Sequence, residues 1–78
     1  MILESDEAKK LMQELHIGKE NEVIENPYSH ERIELCPEAV ALYDLIKGAE
    51  ISGDYDLVDL GLEIFRMNWP QEYMVLLD

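Results

Sequence analysis

The chain has 78 residues, 47% of them hydrophobic, and its eighteen acids against six bases give a formal charge of −12. A chain of this length makes a single domain, residues 1–78, that buries only about 60% of the surface it exposes when unfolded. The charge repels nucleic acid and anionic lipid and so argues against direct binding to either, while the apolar share argues against a disordered acidic chain.

The single cysteine, Cys36, excludes an internal disulfide and a cysteine-rich zinc module. The first residues, MILESDEAKK, show no apolar run behind a positive start, and no segment approaches the roughly 20 apolar residues that cross a bilayer. The expectation is a soluble cytoplasmic protein, held by its apolar core alone or by that core and a second copy.

Along the chain, Ser5 caps a first helix with Asp6 and Glu7 in its opening turn and Gly18 marking its end. Ala8, Leu11, Met12 and Leu15 recur at helical spacing and form its apolar face, opposite Lys9, Lys10, Gln13 and Glu14. From Glu22 the period changes. Val23 and Ile24 run into Glu25-Asn26-Pro27, and Arg32-Ile33-Glu34-Leu35 alternates beyond, which predicts a short hairpin whose turn is set by Pro27 and Asn26. Ser29, His30 and Glu31 are the three side-chain types of a hydrolytic triad, but consecutive residues on a turn splay apart, so the reading is a solvated hairpin tip.

Pro37 at a first helical position opens a second helix that runs to Ile51 or Ser52 before Gly53. Its stripe of Ala39, Leu42, Ile46 and Ala49, flanked by Tyr43 and Leu45, predicts the central core helix, with Gly48 either admitting a close neighbour, the preferred reading, or lying near a fray. Asp54 caps a third helix through Asn68, in which Asp56, Asp59, Glu63 and Arg66 share a polar face and Leu57, Val58, Leu60, Leu62, Ile64, Phe65 and Met67 cover the rest. Pro70 starts a short fourth helix. Its apolar residues, including Trp69, Tyr73, Met74 and Leu77, either complete the core or form a surface for self-association.

The pattern NPYS, then IELCPEAVALYDLIKGAE, then LEIFRMNWPQEYMVLLD resembles a group of small uncharacterised proteins encoded by bacteriophages and prophages. In that group an Asn-Pro turn precedes a Pro-initiated helix containing Tyr-Asp and Gly, and the chain ends near Tyr-Met-x-Leu-Leu-Asp. The likeness covers Asn26 to Asp78 and leaves the first helix outside. It implies a phage or bacterial source and the bacterial cytoplasm, and it brings with it no reaction and no site residues.

No recognisable chemistry stands out in the residues. A structural zinc site needs four close ligands, commonly paired as CxxC or HxxxH, and neither pair occurs. Asp54-Tyr-Asp56-Leu-Val-Asp59 superficially suggests a calcium loop, yet it lacks the turn glycine and has Phe65 where the last ligand belongs. There is no GxxxxGK and no GxGxxG, and Cys36 before Pro37 reads as a small hydrophobe at a strand-to-helix junction.

The acidic surface remains. Glu50, Asp54, Asp56, Asp59 and Glu63 lie between Lys47 and Arg66 with no base among them. Asp56 to Glu63 spans about 10 Å of helix with three charges, against one charge every ~3.4 Å on a DNA strand, and Arg66 partly offsets it through Glu63. Mimicry of nucleic acid would need Glu20, Glu22, Glu25, Glu31 and Glu34 on the same side.

The fold expected is α+β and mainly helical: a helix, a short β-hairpin, two longer helices and a short C-terminal helix around one core, with an all-α arrangement as the alternative. The function expected is that of a small non-enzymatic accessory protein without cofactor or metal. It would bind a protein with a basic surface through Glu50, Asp56, Asp59 and Glu63, as inhibitor or nucleic-acid mimic. Two alternatives stand beside it: an oligomer that sequesters a small ligand, associating through Trp69, Tyr73, Met74 and Leu77, and a small enzyme or redox sensor using Cys36 or His30.

Overall fold

The computed structural model describes residues 1–77. The elements follow as α1 (Asp6–Glu14), β1 (Glu22–Glu25), β2 (Arg32–Leu35), α2 (Pro37–Ser52), α3 (Tyr55–Asn68) and α4 (Pro70–Leu76). Four helices and one antiparallel hairpin make an α+β, mainly helical fold, as the sequence predicts.

The α2–α3 pair is the centre. Leu42 and Ile46 of α2 and Phe65 of α3 are fully buried, and burial of each such side chain contributes about 1.5–3 kcal/mol. The two helices turn tightly because one glycine and one aspartate do two jobs. Gly53 adopts φ 79°, where a side chain would be strained, and the amides of Gly53 and Asp54 donate back to Glu50 and Ala49, which satisfies the last carbonyls of α2. Asp54 then opens α3, its carboxylate accepting from the Leu57 amide at 3.3 Å.

The close approach of α2 and α3 depends on Gly61, which is buried and stands where a Cβ would lie 2.7 Å from Ile46 Cγ1. This corrects the expectation placed on Gly48. That glycine is exposed, with no atom near the position its Cβ would take. Gly48 falls on the solvent side of α2, opposite the Ala39, Leu42, Ile46, Ala49 stripe, whereas Gly61 falls in the middle of the buried arc of α3.

Helix α1 starts as expected, with Ser5 Oγ accepting from the Ala8 amide at 3.1 Å, and buries Ala8 and Met12 against the core. It ends at Glu14, four residues short of Gly18. Its last turn holds an acid and no base, which opposes the helix dipole, and Leu15 turns to an extended conformation with its side chain packed on the core. The segment before α1 is tied to the end of α3: the Asn68 side chain accepts from the Ile2 amide and donates to the Ile2 and Ile64 carbonyls.

The hairpin pairs Glu22 with Leu35, Val23 with Glu34, Ile24 with Ile33 and Glu25 with Arg32. Opposed residues share a face, so Ile24, Ile33 and Leu35 face inward and Val23, Glu25, Arg32 and Glu34 face outward. At the turn, Asn26 Oδ1 accepts from the Tyr28 and Ser29 amides, and His30, at φ 64°, is the left-handed residue that leads back into the strand. Asn26 Nδ2 donates 2.7 Å to the Val75 carbonyl, which joins the hairpin to α4.

Helix α4 begins at Pro70, and Trp69 before it packs edge-on to Phe65, with ring centroids 5.3 Å apart. Leu76 is buried, and Trp69, Tyr73, Val75 and Leu77 pack against the core. No helix among the described residues is long and apolar enough to cross a membrane.

Candidate functional site

The exposed face of α3 is a strip about 100° wide that holds Tyr55, Asp56, Asp59, Glu63 and Arg66. It exists because the opposite arc, centred on Val58, Gly61 and Phe65, is consumed by α2, α1 and α4. The expected Glu63–Arg66 ion pair does not form: the pairs present among the described residues are Glu25 with His30 and Arg32, and Glu50 with Lys47. Both side chains are exposed, and a lone pair on a helix surface gains too little to order them.

Asp56, Asp59 and Glu63 therefore stand together with Arg66 beside them on the strip, and none of the three is in a salt bridge among the described residues. Glu50 differs. Its carboxylate lies 3.8 Å from Lys47 Nζ, and that ammonium also sits 5.5 Å from the Tyr43 ring centroid.

Helix α4 borders the acidic strip. A shallow groove of about 280 Å³ is lined by Asp59, Leu62, Glu63 and Arg66 of α3 and by Tyr73 of α4. The acidic strip and the apolar C-terminal segment, read separately from the sequence, thus meet at one place. Of the four residues suggested for self-association, Trp69, Tyr73 and Leu77 are half-buried against the core, and Met74 alone stands largely free at 68% exposure. Tyr55, at the head of the acidic strip, and Leu62, in the groove, were missed. Tyr55 lies one helical turn before Asp59, the spacing that would have revealed it.

The hairpin tip is organised by ion pairing and turn bonds. Glu25 Oε2 lies 3.1 Å from His30 Nδ1, and Glu25 Oε1 accepts from Arg32 Nε at 2.8 Å. The His30 contact foremost, then that of Arg32, hold the Glu25 carboxyl below its ordinary pKa. Ser29 Oγ accepts from the Glu31 amide, so the serine hydroxyl and the imidazole are engaged with different partners and no triad geometry is built. Cys36 is a half-buried free thiol at the junction of β2 and α2. Among the described residues, no three His, Cys, Asp or Glu side chains converge to hold a metal ion.

The acids that a nucleic-acid mimic would have to align are divided by the hairpin. Glu25 and Glu34 face outward, the latter accepting from Asn21 Nδ2 at 2.8 Å, while Glu22 lies on the other face. Compared with known proteins, the chain matches no family model, no curated protein and no solved structure.

Proposed function

We propose that the protein is a small non-enzymatic accessory protein, of the phage-encoded kind it resembles, that binds a host or phage protein through the α3 face. One observation carries this reading: Asp56, Asp59 and Glu63 are exposed on one strip, in no salt bridge of the described residues, beside a groove edged by Tyr73 and Arg66. Carboxylates next to an aromatic ring suit a lysine or arginine side chain, which gains the charge contacts and the ring face together. The partner is therefore a protein with a basic surface, engaged in the bacterial cytoplasm. Inhibition by occupying that surface fits this geometry better than mimicry of a nucleic-acid strand, which calls for more regularly spaced charge.

The test is a pull-down from bacterial lysate with the tagged chain, washed at low and then high salt, beside the double variant Asp59→Lys, Glu63→Lys. A stoichiometric partner released by salt and bound about tenfold more weakly by the folded variant is the expected result. Equal capture by both proteins would dismiss the α3 face.

A further inference from the structure

Among the described residues, strand β1 has one partner, β2, and no strand on its other side. Which backbone groups face that open side follows from the turn. The Asn26 amide donates 2.8 Å to the Glu31 carbonyl, in continuation of the Glu25–Arg32 register. Bonded and non-bonded positions alternate along an antiparallel pair, so Ile24 and Glu22 direct their N–H and C=O toward β2. Val23 and Glu25 direct theirs outward, to the open edge.

Beside the start of this edge lies a cleft of about 460 Å³ that no residue of β2 lines. Pro37, Val40 and Ala41 of α2 give it apolar lining, and Glu20, Glu22 and Asp44 bring three carboxylates against the ammonium of Lys19 and the imidazole of His16. None of those three acids is in an ion pair of the described residues. We infer that the open edge of β1 takes an extended, lysine- or arginine-bearing segment of another protein as an added strand, with a basic side chain entering the Glu20, Glu22, Asp44 cleft.

Charge selects this occupant. Pairing β1 with β1 of a second copy would bring together two chains of −12, with glutamates at both ends of each strand, whereas a basic segment meets those glutamates as counter-charges. Main-chain bonds to Val23 and Glu25 would give affinity, and the cleft would give preference for a cation. The surface uses none of the α3 residues, so it stands or falls separately from the function proposed above.

The test is a titration of the ¹⁵N-labelled full chain with a blocked hexapeptide of alternating lysine and valine. Two control peptides accompany it, one N-methylated at alternate backbone nitrogens and one with glutamate in place of lysine. The expected result is a shift and slowed exchange at the Val23 and Glu25 amides with the lysine peptide, binding about tenfold weaker for the N-methylated one, and none for the acidic one. Val23→Pro removes an outward donor without touching the bonds to β2 and is expected to weaken binding by a similar factor. Glu22→Lys with Asp44→Lys does so while leaving the backbone intact, and Asp59→Lys with Glu63→Lys changes nothing. Equal binding of the lysine peptide and its N-methylated form would overturn edge pairing, as would the absence of any response at β1. Protection of Val23 and Glu25 in the free protein with a doubled mass would assign the edge to a second copy instead.

Discussion

A methyl group added at Gly61 would press on Ile46 Cγ1 at 2.7 Å and Cδ1 at 3.3 Å, inside the seam where α2 and α3 meet. Ile46 is fully buried and β-branched, so it has little room or freedom to give way. Gly61→Ala is expected to cost about 1–3 kcal/mol in urea denaturation, more than the roughly 1 kcal/mol that alanine returns in helix propensity. Gly48→Ala has the opposite sign: its Cβ meets open space, and the substitution should stabilise by about 0.5–1 kcal/mol. Both glycines sit inside helical patterns and look alike in the chain. What separates them is the direction each points once its helix is docked.

At Glu25 the fold perturbs the ionisation of a side chain. Its folded pKa lies below the ordinary value because His30 and Arg32 both hold the carboxylate. A depressed acid contributes stability that is complete above the ordinary carboxylate pKa and is lost as pH falls through the lower, folded value. The tip should therefore open as pH falls below the ordinary carboxylate range. Amide exchange at His30 and Arg32, followed through an acid titration, should show that transition in the native chain and not in Glu25→Gln.

At the scale of elements, the boundaries that the sequence announces are those with a capping residue. Ser5, Pro37, Gly53, Asp54 and Pro70 each act within one turn of their own position, through a side-chain bond, a fixed φ or a left-handed cap, so their effect needs no knowledge of the rest of the fold. The end of α1 has no such residue. It was misplaced at Gly18 because the helix stops where its dipole is opposed and Leu15 finds the core, and that is a matter of docking.

The contact of hairpin and helix at Asn26 was half legible for the same reason. The turn bonds to Tyr28 and Ser29 are local, while the bond from Nδ2 to Val75 spans 49 residues. Asn26→Ala should cost about 1–2 kcal/mol by leaving the Val75 carbonyl without its donor. Asn26→Asp, which keeps the turn acceptor and loses the donor, should retain turn protection while the α4 end exchanges faster, and hydrogen exchange distinguishes the two outcomes.

At the scale of the whole molecule, the dominant fact is charge. Eighteen acids face six bases, and the described ion pairs engage only Glu25 and Glu50 among the acids. Self-repulsion of this kind destabilises a compact state and is screened by salt. Raising sodium chloride from about 20 mM to 300 mM, which shortens the screening length well below the molecular diameter, should raise the melting temperature by several degrees. A melting temperature that falls with salt would mean that exposed ion pairs outweigh the repulsion.

The division between what the chain announces and what the fold adds follows the range of the interactions. Helices, hairpin, the buried stripe of α2 and the acidic strip of α3 were all legible, because period and capping are local properties of consecutive residues. The meeting of Asp59 and Glu63 with Tyr73 in one groove, the failure of Arg66 to pair with Glu63, the division of the hairpin acids over two faces, and the open edge at Val23 and Glu25 depend on how elements pack and which surfaces they leave uncovered. Those are long-range consequences of burying Leu42, Ile46 and Phe65 together around Gly61, and no periodicity in the sequence encodes them.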